Sequence, residues 1–227
     1  MEFIKKYDTF PELKEEINKY TELLLLQREL PKVNELKAIT KYIIFIKTII
    51  THTGHSHYKD SLIFDILSAM HSLTGHSIRQ FHYIFRSFIE NYVRSMLNLD
   101  DNDETGVNQL FRMMDERFGS SSNKSDLLDF ISGEYGKSCM YVHSNLKAKT
   151  NIQLYYVEII EKDDFDVKTL SSTINKILIT LKKMTELLIY SYPSIVENAF
   201  YRRKQQLCFL IGESLFNTLL QEVKTNE

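Results

Sequence analysis

The sequence predicts an all-α protein: an up-and-down four-helix bundle with additional helices from both ends of the chain packed on it. Two observations carry this. Only 7 glycines and 3 prolines occur among 227 residues, which starves β-turns and favours long helices. Apolar residues recur every three or four positions over most of the chain, the spacing that gathers them into one stripe on a helix.

Pro11 to Leu30 reads as the first helix, with Thr9 as a candidate N-cap. Glu12, Glu15 and Glu16 fall in its early turns, where the helix dipole favours acids. Pro31 ends it, because proline removes a donor and restricts the residue before it. A second helix runs from Val33 to about Ile50, with Leu36, Ile39, Tyr42, Ile43, Ile46 and Ile50 on one face. Thr51 to His57 reads as a polar break. Ser61 to Leu99 is helical by pattern, interrupted at Gly75, where a kink or a junction of two helices is expected. In its second part Ile78, Phe81, Phe85, Phe88, Tyr92 and Met96 form a core stripe, and Arg79, His82, Arg86, Glu90 and Arg94 follow one flank of it.

Asp100 to Thr105 is an acidic loop, Val107 to Phe118 a short amphipathic helix, and Gly119 to Lys124 a serine-rich loop. The next stripe is Leu127 or Leu128, Ile131, Tyr135, Cys139 and Val142, ending at His143. Ala148 to Lys162 reads either as an extended segment or as a helix start. Asp164 to Tyr190 is a long helix with Leu170, Ile174, Ile177, Leu181, Met184 and Leu188 facing inward. Pro193 breaks it and starts a last helix reaching about Val223. Residues 1–57 are read as an N-terminal helical extension and 58–227 as the bundle with its C-terminal helix, together one compact unit.

A formal net charge of −2 gives no global attraction to nucleic acid, so any basic site has to be local. The most apolar run, Tyr42 to Ile50, is broken by Lys47 and too short to span a bilayer. With no secretory signal pattern at Met1 to Lys6, a cytoplasmic protein without membrane contact is expected. Cys139 and Cys208 sit in apolar helical patterns and read as buried free thiols.

Three histidines in a short stretch, His52, His55 and His57, lack the Cys, Asp or Glu partners that zinc sites draw from a second element. They read as a solvated loop, and no metal is expected. Tyr201-Arg202-Arg203-Lys204 reads as a solvated basic face, with phosphate contact as the alternative. There is no glycine-rich phosphate loop and no nucleophile elbow, so no cofactor is expected. Arg86 and Glu90, one turn apart, border the core stripe, where charges have to be paired or used.

A helix carrying Phe85-Arg86-Ser87-Phe88-Ile89-Glu90-Asn91 is followed by Tyr135-x-x-Ser138-x-x-Tyr141-Val142-His143-Ser144-Asn145. This order resembles the HEPN superfamily of prokaryotic helical bundles over roughly residues 60–190. The resemblance implies a four-helix bundle that commonly dimerises and occurs in toxin–antitoxin and phage-defence systems. Active members are metal-independent ribonucleases whose signature is an Arg, four to six residues, then a His. A histidine can move the ribose 2′-hydroxyl proton, and an arginine can clamp the scissile phosphate.

Here His143 matches the motif histidine, but the positions five to seven residues before it are Ser138, Lys137 and Gly136. Lys137 supplies charge without a planar fork. Arg86 can substitute from the neighbouring helix, with Glu90 orienting it or the histidine. Arg79, Arg94, Ser138 and Asn145 are the candidates for RNA contact. Three readings stay open. One is a ribonuclease acting through His143 with Arg86 or Lys137. The second is a non-catalytic module binding RNA, a nucleotide or a partner protein, with Arg86, Glu90 and His143 as a structural polar network. The third is an unrelated helical interaction protein in which the three never meet. A homodimer, and an antitoxin or defence-system partner, are the assemblies the resemblance implies.

Overall fold

The structure, a computed structural model, describes residues 10–75, 77–143, 151–153, 156–157 and 163–225; of His143 it describes the backbone. It is an all-α helical bundle as expected, and no strand occurs among the described residues. In chain order the helices are α1 (Pro11–Gln27), α2 (Val33–Thr53), α3 (His57–Ser72), α4 (Ile78–Leu97) and α5 (Val107–Phe118). They are followed by α6 (Ser122–His143), α7 (Val167–Ser191), α8 (Pro193–Ala199) and α9 (Lys204–Thr225).

Helix α3 lies along α4, α4 along α6, α6 along α7, and α7 along α2, which also reaches α3. Side-chain bonds show that neighbours alternate in direction. Tyr58 at the start of α3 donates to the Asp103 carbonyl just beyond the end of α4 at 2.9 Å. His82 early in α4 meets Ser138 late in α6, and Glu134, just past the middle of α6, meets Lys176, before the middle of α7. The short α5 packs across α4 and α6, α1 lies on α2, and α9 lies on α2 and α7.

The apolar stripes explain this packing. All six inward residues expected on α7 are buried, and so are the six on α2, joined there by Phe45 and Ile49. On α4, Phe81, Phe85, Phe88, Tyr92 and Met96 are buried, and stacked or tilted rings run from Phe81 through Phe85 to Phe88. One hydrophobic core joins residues from α1 through α9.

Several boundaries differ from the sequence reading for local reasons. Helix α2 runs through Thr53 and stops at Gly54, whose φ of 85° is open to glycine at little steric cost. The polar break is therefore only Gly54 to Ser56, and Ser56 caps α3 by accepting from the Lys59 amide. The Gly75 interruption separates two helices, with Ser77 capping α4. Helix α6 begins at Ser122, so the second half of the serine-rich stretch expected as a loop, Ser122 to Lys124, is its first turn. The last helix is two, α8 and α9, and α9 is itself broken at Gly212, φ 83°.

The α3–α4 junction is tied down from afar. Arg28, just after α1, donates to the Gly75 carbonyl at 2.8 Å and to the Phe165 carbonyl at 2.7 Å. Asp163 caps α4: its carboxylate accepts from the Ser77 hydroxyl at 2.7 Å and the Arg79 amide at 2.8 Å. Its carbonyl accepts from the Ile78 amide at 3.0 Å.

Candidate functional site

The face formed by the first half of α4 and the last half of α6 gathers the polar side chains of interest. Its centre is His82. A position on the polar flank of α4 was expected; instead the ring is 3 % exposed. Nδ1 lies 3.2 Å from the Ser138 hydroxyl, and the ring stacks on Tyr141 with centroids 3.8 Å apart and planes 7° from parallel. Burial, reinforced by the positive charge of Lys176, pushes the imidazole down to about 3. His82 is therefore neutral near pH 7.

One turn earlier on α6, Glu134 is buried at 4 % exposure. Its Oε1 accepts from Lys137 at 2.6 Å, and its Oε2 faces Lys176 at 3.9 Å, beyond hydrogen-bonding distance. Burial lowers the Lys176 pKa against the opposing pull of Glu134. The sequence reading placed Tyr135, Cys139 and Val142 on the core stripe; all three are half-buried, while Glu134 and Ser138 take the buried positions between them. The α6 surface that meets α4 and α7 is thus polar over its last two turns. Cys139 and Cys208 are both free thiols and both half-buried rather than fully buried.

Arg94 was expected as an RNA contact and instead serves the fold. Its guanidinium donates to Glu90 at 3.0 Å, to the Asp103 carboxylate at 3.0 Å and to the Thr105 carbonyl at 2.8 Å, and lies 5.1 Å from the centre of the Tyr58 ring. With 10 % of its side chain exposed, it pins the acidic loop to α4, and it holds the Glu90 carboxylate that was expected to orient Arg86. Arg86 is half-buried, 5.9 Å from the centre of the Tyr83 ring. The charges of Arg86 and Glu90 both reach the Tyr135 phenol, which burial and a hydrogen bond with Cys139 push up to about 12.

Lys137, the cation at the motif's arginine position, is engaged by Glu134. Arg79 lies exposed on α4, and its guanidinium donates to the Val142 carbonyl at 2.8 Å. That contact sets a cation against the residue preceding His143, the last residue of α6. The His143 side chain, and Asn145 altogether, lie outside the described residues.

No family model matches the chain, and no match to it is found among curated proteins or solved structures.

The geometry of the α4–α6 face differs from the sequence expectation in which residues meet. Ser138 is brought to His82 rather than to a solvent face, and Arg79 to the end of α6. Sequence reasoning missed the buried role of His82, and also Glu134, Tyr141 and Lys176. The available signal was the helical spacing Glu134, Ser138, Tyr141, with intervals of four and three, which shares a face but contains no aliphatic residue to mark it.

The histidine stretch is dispersed. His55 pairs with Asp60 at 3.0 Å, the His57 backbone amide donates to Asp101, and His52 sits in the last turn of α2. In the basic run near the C-terminus, Arg203 donates to the Ala199 carbonyl and Lys204 pairs with Glu197 at 2.7 Å.

Proposed function

We propose that this chain is a HEPN-like module of a bacterial defence or toxin–antitoxin system that engages RNA along the α4–α6 face. The single observation carrying this is Tyr141: its ring is 51 % exposed, yet it is held flat against the buried, neutral His82. A tyrosine fixed in this way offers a base a stacking partner without losing rotamer freedom on binding. Cations flank it. Arg79, Tyr83 and Arg86 are spaced by four and three residues along one side of α4, and Lys137 is one turn before Tyr141 on α6. Arginines beside half-exposed aromatics suit phosphates and bases together. The motif order and the all-α bundle support the HEPN-like assignment.

A second reading, metal-independent RNA cleavage, is favoured by one contact: the Arg79 guanidinium on the Val142 carbonyl. In that reading Arg79 replaces the missing motif arginine for His143, and Lys137 and Glu90, already engaged by Glu134 and Arg94, drop out of the chemistry.

Labelled single-stranded RNA with EDTA present tests both. The wild-type protein is expected to bind, and Tyr141→Ala and Arg79→Met each to weaken binding about tenfold, the value of one stacked base or one charged hydrogen bond. RNA shortened by wild type and left intact by His143→Ala establishes cleavage; RNA bound but intact leaves a binding module. No retention of RNA by folded wild-type protein at low salt overturns the proposal.

A further inference from the structure

At the far end of α4, about 24 Å from Arg79 by helix rise, α2, α3, α4, α5, α7 and α8 surround a cavity of about 530 Å³. This volume lies in the range of small-molecule sites. Its inner wall is apolar: Ile46, Ile49, Leu62, Met96 and Leu188 are all buried. The two tyrosines in the wall are already satisfied, Tyr92 donating to the Met184 carbonyl and Tyr192 to the Met96 carbonyl, both at 2.7 Å. The Ser95 hydroxyl is not: it is buried in the lining with no hydrogen-bond partner among the described residues. Lys59 and Arg117 stand in the lining with His52, and no carboxylate lines the cavity among the described residues.

From the charge and shape of this cavity we infer that it binds a small amphiphilic carboxylate, with the hydrocarbon body among the isoleucines and the carboxylate toward Lys59 and Arg117. Both cations keep donors for it. Arg117 uses one nitrogen on the Leu97 carbonyl at 2.9 Å, and a guanidinium has five N–H groups. Lys59 makes only long contacts, 3.4 Å to the Thr53 carbonyl and 3.3 Å to that of Gly54. Apolar burial supplies affinity, while the lone-sign lining selects the head group. The site shares no lining residue with the α4–α6 face, so it stands or falls apart from the RNA reading.

Calorimetric titration of the full chain with decanoate, decanol and decyltrimethylammonium tests it. Decanoate is expected to bind saturably at one site, decanol about tenfold more weakly for want of the charged hydrogen bonds, and the cation not at all. Lys59→Met with Arg117→Met is expected to bring decanoate down to the level of decanol. Ser95→Leu, which enlarges the side chain carrying the one buried, unpartnered polar atom among the described residues of the wall, is expected to abolish binding of both while thermal unfolding shows a folded protein. Equal binding of decanoate and decanol overturns the carboxylate assignment. No saturable binding to wild type, or decanoate binding unchanged in the double variant, overturns the site.

Discussion

His82 couples the fold to pH through a single imidazole. The unfolded chain takes up a proton on this ring near 6.5, whereas the folded protein holds it neutral down to about 3. Above 6.5 neither state carries the proton and the ring contributes no slope. Below it the unfolded state binds a proton that the native state does not, so stability falls as pH drops from 6.5 toward 3, by up to about 1.4 kcal/mol per pH unit. Lys176 strengthens the effect by its own charge. Denaturant titrations of wild type and His82→Gln between pH 7 and 4 check this. The variant is expected to lose one proton's worth of acid-side slope, and parallel curves would show that His82 does not set the dependence.

At the scale of single helices, α6 shows what patterns reveal and what they hide. Its first half was legible because Leu127, Leu128 and Ile131 mark the core side. Its second half was not, because apolar counting selects Tyr135 and Cys139 while the packed face carries Glu134 and Ser138. Those residues are buried by partners on other helices, His82 on α4 and Lys176 on α7, which no local spacing announces. Helix α4 repeats the lesson: its aromatic stripe was readable, but Arg94 sits on the same flank as Arg79 and is consumed by Asp103 and Thr105. Its N-terminal cap also comes from Asp163, 86 positions beyond Ser77.

The α6–α7 contact carries its own prediction. Glu134→Ala leaves Lys176 half-buried without its counter-charge and is expected to cost about 3 kcal/mol. Replacing both with apolar residues, Glu134→Leu with Lys176→Met, is expected to return to within about 1 kcal/mol of wild type. Lys137 does not upset this cycle, because its side chain is 57 % exposed and can turn to water. Urea unfolding of wild type, Glu134→Leu, Lys176→Met and the double variant measures the coupling, and strictly additive losses would show that the two residues act independently.

For the whole molecule, the fold class followed from scarce glycine and long apolar stripes, while the site depended on which helices became neighbours. The direction of that assembly leaves one end of α4 between His82 and Asp163 and the other beside the Ser95 cavity, two sets of side chains joined by one continuous helix.

The first turn of α4 also works as a clasp. Arg79 grips the last turn of α6 through Val142, and the same turn receives Asp163, which leads into α7. The chain departs from and returns to one anchorage, and α6 also packs directly along α7. The protein is accordingly expected to survive as a two-piece molecule. Coexpressed halves divided within that connection should copurify in equal amounts and melt as one unit, whereas a tagged half recovered alone would show that the clasp needs the unbroken chain.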